Sequence, residues 1–233
     1  MSTPTRRAGK KVAESARPRA LTGRGARKPE DGRLTPTYHL VGFSEVSERK
    51  QQILATAADI LEHKSFAAFS YQDLAERLGI RKASIHHHYP SKDELGIELL
   101  KFFKARGDAL MMEVVGAAKS PGAALSAVFE MCEKVMFDGE TKVCPSCAFE
   151  VDAKNLSPKM IEMLRESNEA FVEQLAGLLT AARAGGEITF LGEPKDQAAT
   201  IVSALQGARL AEPIMGREHF RGVIRQLCRS LGL

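Results

Sequence analysis

Residues 69–95 read FSYQDLAERLGIRKASIHHHYPSKDEL, and the spacing predicts a helix, a tight turn, a second helix and the start of a third. Ser70 suits an N-cap, with Asp73 three residues on to complete a capping box. Leu74, Ala75 and Leu78 make one apolar stripe, while Gln72, Glu76 and Arg77 fall on the opposite face. Gly79 supplies the positive φ that ends the first helix, and Ile80 fills the corner. The second helix runs from about Lys82 to His88 with Ile85 as its core anchor. Pro90 stops it, because the residue before a proline is pushed out of helical space. Ser91 and Glu94 then open the next helix with a second capping box. The short middle helix therefore turns Arg81, Lys82, Ala83, Ser84, His86 and His87 outward. A short, basic, outward-facing helix on a tight corner has the geometry of a recognition helix.

These residues carry a family likeness. Asp73, Leu74, Ala75, Leu78, Gly79, Ile80, Ile85, Tyr89, Ser91, Lys92 and Leu95 fall in the order and spacing of the DNA-binding domain of the tetracycline-repressor (TetR/AcrR) family, which the stretch 47–107 resembles. One position departs: His86 stands where that family usually has an aromatic residue, so the resemblance implies an imidazole N–H in place of the tyrosine hydroxyl as the expected phosphate donor. The resemblance implies an all-α fold. A three-helix DNA-binding domain over 47–107, with its helix-turn-helix at 70–89, would join an effector-binding and dimerisation domain over 108–233. It implies a homodimeric transcriptional regulator, a repressor that a small effector releases from double-stranded operator DNA. Arg81, Lys82, Ala83, Ser84, His86 and His87 are expected at base edges and phosphates, with Ser70, Tyr89 and Lys92 positioning the unit on the DNA backbone.

The flanks are simpler to read. Residues 1–43 carry ten Lys/Arg against three Asp/Glu in a chain whose formal net charge is +4, so the remainder is net acidic. This basic opening, rich in Pro, Gly, Ser and Ala, cannot bury a core and reads as a disordered tail. It is either a solvated tail or a flexible arm that adds salt-dependent affinity for phosphates. It lacks the apolar segment of a secretory signal. No apolar run approaches the roughly 18 residues needed to span a membrane. Together with four cysteines and no export signal, this points to reduced thiols and a cytoplasmic, nucleoid-associated bacterial protein without a membrane partner.

Helical periodicity fills the rest of the chain. Ile53, Leu54, Ala57, Ile60 and Leu61 form a stripe ahead of the motif. Others run over 92–115, 121–137, 158–183, 194–212 and 217–231, with one short alternating stretch at 187–191. The resemblance places the dimer interface on the last two helices, at Ile201, Ala204, Leu205, Ala208, Phe220, Ile224 and Leu227, where Ala204, Gly207, Ala208 and Ala211 allow close approach. It places an effector pocket among the central helices. Phe129, Met131, Met136, Phe137, Phe149, Met160, Met163 and Phe171 are candidate lining residues, since Met and Phe make adaptable apolar walls; the same stripe also reads as plain core.

Cys144-Pro-Ser-Cys147 adds a second candidate, and its segment resembles the middle of a NemR-like subgroup of electrophile sensors. A thiol at a helix N-terminus with Lys142 nearby has a lowered pKa, so Cys144 could be alkylated, or oxidised and resolved by Cys147. The pair also reads as two small buried residues. As a zinc site it supplies two of four ligands, and as a dithiol oxidoreductase it lacks a βαβ context. His86, His87 and His88 point about 100° apart on a helix and cannot converge on one ion. No metal or other cofactor is expected. No phosphate loop, nucleophile elbow or complete metal set points to an enzyme, so no catalytic residue is assigned. The alternative class is an architectural DNA-binding dimer that is weakly sequence-specific and has no effector.

Overall fold

The computed structural model describes residues 47–61, 64–137 and 145–233. The basic tail over 1–43, Cys144 and the side chains of Met136 and Phe137 lie outside the described residues. Among these residues the chain is helical: α1 (Glu48–Leu61), α2 (Tyr71–Leu78), α3 (Lys82–His88), α4 (Lys92–Ala117), α5 (Pro121–Phe137), α6 (Pro145–Glu150), a 3-10 turn (Ala153–Asn155), α7 (Pro158–Ala184), α8 (Pro194–Met215) and α9 (Arg217–Leu231). Residues 188–190, expected as part of a short strand, are irregular, with Thr189 N–H donating to the Leu231 carbonyl at 2.9 Å.

The ends of the helices follow their local chemistry. Ser70 caps α2 with a reciprocal box: Asp73 N–H donates to Ser70 Oγ at 3.3 Å and Ser70 N–H to Asp73 Oδ2 at 2.8 Å. Lys64 adds an ion pair to the same carboxylate at 2.7 Å, and this contact, with the Ser70 hydroxyl, lowers the Asp73 pKa to about 2. Gly79 closes α2 in the left-handed region at φ 64°, where a Cβ would be strained. At Ser91 only half of the expected box forms. Its hydroxyl accepts from Glu94 N–H at 3.1 Å, while the Glu94 carboxylate meets the hydroxyl at 3.3 Å. Ser157 caps α7 ahead of a proline in its first turn.

Burial divides into two apolar cores. The first gathers α1–α3 with the start of α4 through Leu54, Leu74, Ile85, Leu95 and Phe102, and it also takes Phe149 from α6 with Met160 and Leu164 from α7. The second joins α5, α7, α8 and α9 through Leu125, Phe129, Leu175, Ile201 and Phe220, and it includes Met111 of α4. The helices α4 and α7 therefore run through both cores. The boundary expected at 107/108 falls inside α4, where a continuous backbone ladder makes a hinge costly. Gly96 permits one of the closest crossings: a Cβ there would stand 2.7 Å from Met160 Cε and 2.8 Å from Phe66 Cζ.

The corner between α3 and α4 is held by a buried phenol. Tyr71 OH shares its one proton between the carbonyls of Ser91 at 2.6 Å and Tyr89 at 2.9 Å. Burial is the main cause that pushes the pKa of both Tyr71 and Tyr89 up to about 12. A raised phenol pKa means that the fold favours the protonated form. This contribution is complete below the ordinary value of 10.0 and is lost as pH rises from there through about 12. Thermal melts between pH 8 and 11.5 are expected to show a falling midpoint above pH 10. Tyr71→Phe should cost roughly 1–2 kcal/mol at neutral pH and reduce that alkaline fall.

Candidate nucleic-acid interface and cavity

Helix α3 is fixed from beneath by Ile85, which is 0% exposed. Arg81, Lys82, Ala83, Ser84, His86 and His87 are exposed, as their spacing predicts. Arg81 is the N-cap of α3 without a side-chain capping bond. A shallow cleft lined by Arg49, Arg81, Ser84 and His87 brings α1 beside the recognition helix. Arg49 escaped the sequence reading because the hydrophobic stripe of α1 marks only its inner face. Two other cations near this surface are occupied within the protein, Lys64 by Asp73 and Arg77 by Asp59.

The histidines divide. The His86 ring meets Tyr71 edge-on at 4.7 Å, and its Nδ1 lies 3.4 Å from the Pro90 carbonyl. A carbonyl only accepts, so that nitrogen carries the proton and Nε2 is an acceptor in the neutral ring. His88 is half-buried; burial, and then the charges of His87, Lys50 and Arg49, lower its pKa.

Three residues expected on the DNA backbone have other work in the structure. Tyr89 is 3% exposed and packs in the first core. The Ser70 hydroxyl is taken up by Asp73 at 2.6 Å. Lys92 folds back so that its ammonium donates to the Ala67 carbonyl at 3.2 Å and stands 4.7 Å over the Phe66 ring. Burial lowers its pKa. The aliphatic stem of a lysine at the start of α4 finds apolar surface there, which a spacing argument does not reveal. Lys92→Ala is expected to lower stability by about 1 kcal/mol and to leave the salt dependence of DNA binding unchanged, as denaturant melts and titrations at several salt concentrations would show.

A partly open cavity of about 300 Å³ lies among α4, α5, α6, α7, α8 and α9, with Ser146 of α6 in its wall. Its apolar wall includes Phe103, Met131, Met163 and Phe171, and its polar wall includes Asn168, Gln206 and Arg209. The sequence reading named Met131, Met163 and Phe171 among the lining residues. Phe129, Phe149 and Met160 are elsewhere: Phe129 packs in the second core, and Phe149 and Met160 pack in the first. Cys147 is 0% exposed on α6; the cysteine in the cavity wall is Cys132. Helical periodicity selects apolar faces and passes over polar wall residues such as Asn168 and Gln206.

The expected dimer residues are largely consumed inside one chain. Ile201, Leu205, Ala208, Phe220 and Ile224 are 0%, 7%, 4%, 1% and 7% exposed, Leu227 is partly buried against the same core, and Leu205 and Phe220 line the cavity. A side chain already buried has little area left to give a partner. The outer face of α8 carries instead Ser203, Gly207, Leu210 and Ile214, all exposed, with Ala204 beside them.

Among the described residues no group of three or more His, Cys, Asp or Glu is placed to hold a metal ion, and no helix is long and apolar enough to cross a membrane.

Comparison with known proteins agrees with this geometry. Residues 53–99 match the family described as bacterial regulatory proteins, tetR family. Over 85 residues the chain is 29% identical to the HTH-type transcriptional repressor KstR2 of Mycobacterium tuberculosis, a match covering 36% of this chain and 42% of KstR2; the chain thus matches less than half the length of that relative. It is 21% identical over 169 residues to the HTH-type transcriptional repressor NemR of Escherichia coli, covering 72% of this chain and 85% of NemR. The crystal structure of a TetR-family transcriptional regulator from Agrobacterium tumefaciens superposes with a TM-score of 0.75 at 23% identity, over 78% of this chain and 97% of the other. The helix-turn-helix of residues 53–99 is thus that of the tetR family of bacterial regulatory proteins, and the helical body shares the fold of the TetR-family structure.

Proposed function

We propose that the protein is a homodimeric, sequence-specific DNA-binding repressor whose grip on its operator is released by a small molecule. The observation that carries this reading is α3: a rigidly anchored helix whose exposed face presents Arg81, Lys82, Ser84, His86 and His87, flanked by Arg49 in the same cleft. One such helix reads few base pairs. Two copies related by a twofold axis read half-sites about 34–36 Å apart. The exposed face of α8 through Ser203, Gly207, Leu210 and Ile214 is the surface we assign to that contact, because its small residues let helices approach and its apolar ones gain from burial.

The cavity is the site we assign to the effector. It is large enough for about ten water volumes and is bounded by helices that run into the DNA-binding unit. A tenfold release requires the effector to favour the non-binding conformation by about 1.4 kcal/mol. Modification of Cys144 is a second route to the same outcome, by analogy with the NemR-like segment around it.

The test is fluorescence anisotropy with DNA from the protein's own upstream intergenic region against scrambled DNA, repeated after N-ethylmaleimide treatment of the wild type and Cys144→Ser. Preference for the intergenic DNA supports the repressor reading. Loss of binding on treatment in the wild type alone assigns the release to Cys144; indifference to treatment leaves the cavity as the route. Equal affinity for both DNAs, with a steep salt slope, overturns this reading in favour of an architectural binder.

A further inference from the structure

Helix α6 touches both parts of the molecule. On one side Phe66 N–H donates to the Ala148 carbonyl at 2.9 Å and the Phe66 ring stacks on Phe149 with centroids 4.7 Å apart, while two residues past the end of α6 Asp152 Oδ2 accepts from Ala67 N–H at 2.6 Å. Phe66 and Ala67 lie in the connection between α1 and α2, just ahead of the Ser70 cap, and Lys92 holds the Ala67 carbonyl from α4. On the other side Glu150, the last residue of α6, accepts from Asn168 Nδ2 at 2.7 Å and Gln206 Nε2 at 3.3 Å, both on Oε1. Asn168 and Gln206 stand in the cavity wall.

The chemistry of this junction runs one way. A carboxylate only accepts, so both amides must turn their NH₂ groups to it. Glu150 is half-buried and lies at the C-terminus of its helix, where the backbone dipole disfavours an anion. The amide donors are what make its position tenable, and removing them leaves a partly desolvated charge unsatisfied. A helix of six residues does not hold itself in place by propensity. Its position is set by contacts at its two sides, so a displacement on one side is passed to the other.

We propose that Glu150 is the positioning residue through which the cavity is coupled to the DNA-binding unit. A molecule in the cavity that engages Asn168 or Gln206 draws the amides from Glu150, α6 shifts, and the bonds from Phe66 and Ala67 loosen. The proposal rests on reading the cavity as the effector site, but its test needs neither effector nor DNA. A protein that no cavity ligand releases from DNA would defeat that reading and leave the mechanical link standing, and the reverse also holds.

The experiment is amide hydrogen exchange by NMR on the full chain, comparing wild type, Glu150→Ala, the double variant Asn168→Ala/Gln206→Ala, and Glu150→Gln. The amides of Phe66 and Ala67 are read against that of Thr189, which bonds the Leu231 carbonyl in a distant part of the sequence. In Glu150→Ala and in the double variant, Phe66 and Ala67 are expected to exchange roughly tenfold faster relative to Thr189. Glu150→Gln retains an acceptor oxygen and should stay near the wild-type ratio. Unchanged ratios in both disrupting variants overturn the proposal, and so does a loss of protection that is uniform along the chain.

Discussion

Alanine at both Arg81 and Lys82 is expected to weaken binding to operator-bearing DNA on the order of 10²–10³-fold, because each charged contact to a base edge or phosphate contributes about 1–3 kcal/mol. Both side chains are exposed, and the N-cap at Arg81 uses no side-chain bond, so folding stability should change by no more than about 0.5 kcal/mol. The two effects are separated by anisotropy titrations beside denaturant melts of the same preparations. A lost phosphate contact also lowers the salt slope by about one, whereas a lost base contact alters the preference among operator variants. Titrating each single variant on a degenerate site library at two salt concentrations therefore assigns the role of each residue. Retention of wild-type affinity by the double variant would remove α3 as the reading element.

Ile85→Ala is expected to destabilise the DNA-binding unit by about 2–5 kcal/mol and to abolish specific binding, although every outward-facing residue of α3 is kept. Ile85 is the buried residue of that helix, in contact with a core built from α1, α2 and α4. A seven-residue helix has almost no stability of its own, so the loss of this anchor detaches α3 rather than only opening a void. Ile85→Val should cost about 0.5–1.5 kcal/mol and retain binding. Urea melts followed by circular dichroism, with anisotropy on the same variants, test the pair. An alanine variant that keeps both stability and specific binding would show that α3 is held by something other than its side-chain anchor.

The DNA-binding unit was legible in the sequence because its signals are local. The Ser70–Asp73 box, the positive φ of Gly79 and the Pro90 stop each act within a few residues, and the structure reproduces the helix from Lys82 to His88 that they delimit. The outward set on α3 follows from helical geometry alone. What failed nearby was the assignment of residues whose side chains are long or central enough to be claimed from a distance. Lys92 reaches back to Ala67 and two aromatic rings, and Tyr89 fills the core that Tyr71 braces.

Beyond residue 108 the periodicity located the long helices but not the six-residue α6, and it could not say which apolar stripe meets which. An inward face predicts burial equally well against a partner chain, a ligand or the chain itself. Ile201, Ala208 and Phe220 satisfy the dimer pattern and the core pattern alike, and only the packing of α8 and α9 on α7 and α5 assigns them to the core. The sequence by itself determined the helices, their caps and the exposed face of α3, since those depend on interactions within one or two turns. The tertiary structure alone decided the cavity wall, the internal use of Lys92 and the two-sided placement of Glu150, because each depends on side chains 18 to 56 residues apart meeting across helix crossings that no local pattern encodes.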